Sequence, residues 1–123
     1  MNVFYAFIAS AGLLLPHTGV HAEPRAVPRM TGQEFVDRYF NSVQVSSVEP
    51  TAKALLEREL ALGYLAGIAD AAQGRAWCDK GLVKTIEIDA AIAHSLRRLP
   101  AASLLGSAAP LIVDVLTKRY PCK

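Results

Sequence analysis

Residues 51–72 read TAKALLERELALGYLAGIADAA, and this stretch decides the fold class. Leu56, Leu60, Gly63, Tyr64, Gly67 and Ile68 recur at three- and four-residue steps, the spacing of one helix face. Glu57, Arg58 and Glu59 mark a wet side, and Pro50 or Thr51 opens the run. The segment predicts the longest helix of an all-α protein. Gly63 and Gly67 each cost roughly 1 kcal/mol relative to alanine in a helix interior. The sequence therefore predicts a compensation, either the close approach of another helix over the bare stripe or a local kink. Gly63 and Gly67 have the spacing of a membrane dimer seam, but Glu57, Arg58, Glu59 and Asp70 flank them, which does not suit a membrane helix.

Working outward, Thr31-Gly32-Gln33-Glu34 is a capping-box pattern with Thr31 at N-cap and Glu34 at N3. Phe35, Val36, Tyr39 and Phe40 follow at helical spacing. Asn41 to Pro50 reads as a polar linker. Beyond the long helix, residues 73–78 (QGRAWC) close it, and Asp79-Lys80-Gly81 is a turn. Thr85 is placed to cap a third helix that ends before Pro100, with Ile88, Ala91, Ile92, Ser95, Leu96 and Leu99 on its buried face. Glu87 and Asp89 in its first turn and Arg97 and Arg98 in its last suit the helix dipole. Gly106-Ser107 breaks the chain, and Ser107 caps a final helix carrying Leu111, Ile112, Val115 and Leu116. Pro110 is tolerable within its first turn. No strand alternation, repeat or low-complexity tract interrupts this pattern, so the expected architecture is a small four-helix domain.

The N-terminus has a different character. Val3 to Leu15 is an apolar run without a charge, followed by Pro16 and Gly19 and then Val20-His21-Ala22. A hydrophobic core, a helix-breaking stretch and small residues at −3 and −1 make residues 1–22 a cleavable secretory signal; the alternative is a buried N-terminal helix. No cysteine follows Ala22, so a lipoprotein anchor is not expected. The run is too short to span a bilayer, and no later segment is long and apolar enough, so no membrane insertion is expected after cleavage. Residues 23–123 then form one domain. Residues 23–30 (EPRAVPRM) read as a flexible leader. All thirteen Lys and Arg and all eleven Asp and Glu lie beyond the signal, so the net charge of +2 survives cleavage. That charge is too small and dispersed to indicate nucleic acid or a membrane surface.

The chain has two cysteines, Cys78 and Cys122. An even count in an exported chain favours a disulfide. An internal bridge would stabilise the fold by about 4 kcal/mol on the chain-entropy argument; an intermolecular bridge or two free thiols are the rivals. Two cysteines without a nearby histidine fall short of a tetrahedral metal set, and no cofactor is expected. His94, alone beyond the signal, shares an outer helix face with Glu87, Ala91 and Arg98. That face is either an ordinary solvated surface or a partner-binding stripe. No serine or cysteine nucleophile stands beside His94 with an orienting carboxylate in the local sequence, so an enzyme is not expected. Asp70 reads as a polar or capping residue, and Trp77 as core packing on a disulfide.

GYLAGIADA at Gly63 to Ala71, Trp77-Cys78, TIEIDAAIAHSLRRLP at Thr85 to Pro100, and RYPC at Arg119 to Cys122 together resemble the Rap/Tai family of type VI secretion immunity proteins. The resemblance runs from about Thr31 to Cys122. It implies a small periplasmic all-helical fold, often a homodimer, that inactivates a peptidoglycan amidase effector. Many relatives carry two further cysteines at places that here are Tyr39 and Ala61. Their joint absence fits the loss of one whole disulfide and leaves Cys78–Cys122. An inhibitor of a concave hydrolase cleft needs a protruding element. The exposed candidate is the turn after Cys78, with Asp79, Lys80, Leu82 and Lys84 as contacts and Glu87, His94 and Arg98 as a second surface. The alternative function is a small periplasmic acid-stress chaperone resembling the HdeA type, exposing apolar surface as its carboxylates protonate.

Overall fold

A computed structural model describes residues 27–41 and 51–123. The signal segment, the start of the leader at residues 23–26 and the linker at residues 42–50 lie outside the described residues. Helix α1 (Gly32–Asn41) starts on the expected capping box. The Glu34 carboxylate accepts from the Thr31 amide at 2.7 Å, and the Thr31 hydroxyl accepts from the Glu34 amide at 3.1 Å. Two amides that α-helix geometry leaves without partners are thereby satisfied. Helix α2 (Ala52–Ala72) is capped by the Thr51 hydroxyl, which accepts from the Ala54 amide.

Helix α3 (Thr85–Arg97) begins one residue differently from the sequence expectation. Lys84 is its N-cap and Thr85 its first helical residue, while Glu87 reaches back to the Lys84 amide at 3.4 Å. A single turn, α4 (Ala101–Leu104), follows Pro100 and adds a short fifth helix to the four expected. Ser107 caps α5 (Ala108–Arg119) by accepting from the Ala109 amide at 3.3 Å.

Helices α1 and α5 form the centre. Both α2 and α3 pack on them, and α4 packs on α1. Phe35, Leu65, Ile92, Leu96, Ile112 and Leu116 are fully buried, one or two from each long helix. Burial of each such side chain contributes about 1.5–3 kcal/mol. The first, third and last helices bury the faces their periodicity predicts. The end of the leader is anchored: Met30 is buried, its carbonyl accepts from the Ala108 amide, and the Gly32 amide donates to the Gly106 carbonyl.

The long helix requires a correction. Its buried residues are Ala61, Leu65 and Ala69, with Leu62, Tyr64, Ile68 and Ala72 packed against the core. Gly63 and Gly67 are exposed, and a Cβ built on either meets nothing within 4 Å among the described residues. Among the described residues no other helix approaches the glycine stripe, and the stripe lies within an unbroken helix. The reason is that α2 is apolar on both sides. At about 100° per residue the Ala61–Leu65–Ala69 face and the Leu56–Leu60–Gly63–Gly67 face lie opposite each other. The core selects the first, where two alanines let the helix sit close to α1 and α5.

Candidate functional site

The chain from α2 into α3 reverses direction twice, each time through a glycine. Gly74 (φ 77) and Gly81 (φ 68) occupy the left-handed region, which costs a side-chain-free residue little. At the first reversal the Gly74 amide donates to the Trp77 carbonyl at 2.8 Å. Trp77 is buried, and its indole N–H donates to the Ala69 carbonyl at 2.8 Å, so the ring is fixed against α2. At the second, Asp79 Oδ1 accepts from the Gly81 amide at 2.8 Å, the side-chain-to-backbone bond that favours aspartate at turns.

The disulfide joins Cys78 to Cys122 with a Cα–Cα distance of 4.8 Å, and both cysteines are in it. Beside it the Cys78 amide donates to the Tyr120 carbonyl at 2.9 Å, and the Tyr120 ring stands edge-on to Trp77 at 6.3 Å. The C-terminal tail is thus bound to the base of the turn by a covalent link, a hydrogen bond and an aromatic contact. Between tail and turn lies a cavity of about 300 Å³. Buried Trp77 and Ile88 line its depth. Exposed Asp79, Lys80 and Leu82 stand on one side and Arg119, Tyr120 and Pro121 on the other.

The seven residues proposed from sequence fall into two groups. Asp79, Lys80, Leu82, Lys84 and Glu87 are exposed on the turn and the first turn of α3. Leu82, at 85% exposure, is an apolar tip held out in solvent. His94 and Arg98 are exposed too, but His94 lies two helical turns beyond Glu87, roughly 10 Å along α3. There the His94 ring meets the Phe40 ring edge-on at 5.1 Å, and the Arg97 guanidinium covers the same ring at 4.7 Å. The residues the sequence reading missed are Arg119, Tyr120 and Pro121. Their proximity to the turn was implicit in the pairing of Cys122 with Cys78.

The turn thus carries an exposed apolar tip and both charge signs on a base braced by the disulfide. Residues 31–122 match the family of Rap1a immunity proteins, and the chain belongs to that family. Membership implies a cognate effector as binding partner. Among curated proteins, none matches the chain.

Proposed function

We propose that the domain is exported to the periplasm and there binds and inhibits a peptidoglycan amidase effector of type VI secretion. The observation that carries this reading is the family match over a domain whose turn, Asp79 to Lys84, projects Leu82 from a disulfide-braced base. A turn anchored in this way loses little conformational entropy on binding, which favours insertion into a hydrolase cleft. Glu87, His94 and Arg98 form a second contact surface along α3. The outer face of α2, with Leu56, Leu60, Gly63 and Gly67 exposed, is the seam of a homodimer in this reading.

The test is periplasmic co-expression with a type VI secretion peptidoglycan amidase, taken from the neighbouring reading frame if that encodes one. Cells making the amidase alone should lyse, and cells making both should grow and yield a complex on size exclusion. Because binding energy concentrates in a few residues, the pair of changes Asp79→Ala and Leu82→Ala should weaken the complex more than tenfold with helicity unchanged. Lysis that is indifferent to this protein, with no complex, would end the amidase reading. A low-pH client-aggregation assay then becomes the informative measurement for the chaperone alternative. N-terminal sequencing of the exported protein should begin at Glu23.

A further inference from the structure

Helices α2 and α3 both rest on α1 and α5 but hardly on each other, and a groove runs between them. Two depressions, of about 430 Å³ and about 130 Å³, succeed one another along it and share Thr85 and Asp89. The lining is apolar at depth, where Leu65, Ala69, Trp77 and Ile88 are buried. It is acidic towards solvent, with Glu59 and Asp70 from α2, Asp89 from α3 and Asp79 from the turn. Among the described residues Arg58 is the one cation lining either depression, and its guanidinium lies over the Tyr39 ring at 5.2 Å.

Among the described residues none of these four carboxylates belongs to an ion pair; the pairs there join Arg38 to Glu57 and Lys118 to Asp114. Asp89 is half-buried at the junction of the depressions, and burial raises its carboxyl above the ordinary range. A carboxylate withdrawn from water without a cation opposes folding. A lysine or arginine arriving from outside would offset that cost, and the apolar depth would receive the aliphatic stem or a neighbouring side chain. The turn proposed to contact the effector borders this groove through Asp79.

We infer that the α2–α3 groove docks a cationic segment of a partner protein, one that alternates Lys or Arg with apolar side chains. The identification of that partner as the effector rests on the proposed immunity function; the groove itself is tested independently of it. The probe is an acetylated, amidated peptide of repeated Lys-Leu pairs, titrated into ¹⁵N-labelled protein purified from the periplasm. Its Glu-Leu counterpart and calcium chloride serve as the other arms.

The expected result is saturable shifts of the Ala66, Asp70, Thr85 and Asp89 amides with the Lys-Leu peptide. Affinity should fall as salt is added and drop about tenfold in the isosteric Asp70→Asn/Asp89→Asn variant. Charge reversal at exposed Asp70, as Asp70→Lys, should shift preference toward the Glu-Leu peptide. Equal binding by the double variant, equal response to either peptide, calcium shifts at the same amides, or no shifts in the groove would each overturn the inference. If the Lys-Leu peptide binds and the amidase does not, the amidase reading fails and the groove stands. If the amidase binds parent and double variant alike, the groove inference fails and the amidase reading stands.

Discussion

Gly32 illustrates how much one residue can decide. Its Cβ, were it present, would stand 2.9 Å from a Leu104 methyl, 3.0 Å from a Leu111 methyl and 3.1 Å from the Leu104 Cα. The first turn of α1 therefore lies almost in contact with α4, and the Gly32 amide bonds to the Gly106 carbonyl across the same junction. Gly32→Val is expected to destabilise the domain by about 1–3 kcal/mol, read from urea unfolding, because the Leu104 backbone cannot yield as a flexible side chain does. An unchanged midpoint would mean that α4 moves freely. Two carboxylates respond to pH in opposite senses. Hydrogen bonds from the Thr31 amide and hydroxyl, with Arg38 adding attraction, hold Glu34 below its ordinary 4.5. Its contribution is therefore complete above pH 4.5 and is lost as pH falls through the lowered folded value. Asp89 is raised by burial above its ordinary 3.8, so its ionised form opposes folding at neutral pH. Asp89→Asn should accordingly melt higher than the parent at pH 7, with the gap closing as pH falls toward 3.8. A lower melting point for the variant at pH 7 would contradict the sign.

At the scale of elements, three of the four long helices were legible because each carries one apolar face. Phe35, Val36, Tyr39 and Phe40 leave α1 no other way to turn, and the Thr31–Glu34 box marks its start by chemistry that does not depend on packing. Helix α2 has an apolar residue on nearly every side, so its period proves a helix without selecting the face that is buried. Leucine and glycine positions looked more decisive than Ala61 and Ala69, yet small residues suit the closest approach of helix axes. The short α4 gave no periodic signal, since four residues do not complete two turns. The exposed stripe yields a prediction of its own. With nothing among the described residues near either Cβ, Gly63→Ala and Gly67→Ala should each stabilise the folded monomer by about 1 kcal/mol through helix propensity alone. In analytical ultracentrifugation the same changes should weaken self-association if a second copy covers the stripe. A gain in melting temperature together with an unaltered dimer would remove α2 from the seam.

For the whole molecule, the cysteine count and the tail motif foretold the bridge, but not what the bridge assembles. The turn at Asp79 to Lys84 could be read from Gly81 and its flanking charges. The wall opposite it, Arg119 to Pro121, comes from the end of α5 and is tied there by a closure spanning 44 positions. Nor could the α2–α3 groove be read locally, because it exists where two helices that each rest on α1 and α5 hardly touch each other. The last prediction follows from the bridge. On the chain-entropy argument, opening a loop of that size costs about 4 kcal/mol of stability. The Cys122→Ser variant should therefore unfold at markedly lower denaturant. Its native state should keep most of its helices, since Phe35, Leu65, Ile92 and Ile112 are fully buried on α1, α2, α3 and α5. What it should lose selectively is order at the turn. With the covalent link gone, the tail is held to the base of the turn by the Cys78–Tyr120 hydrogen bond and the Trp77–Tyr120 contact. Amide hydrogen exchange should accelerate at Cys78 and Gly81 well before it does in α1 or α5. Binding to the effector should weaken mainly through faster dissociation. If exchange at Gly81 is as slow in the variant as in the parent, the turn is rigid through its own Asp79 bond, and the bridge serves stability alone.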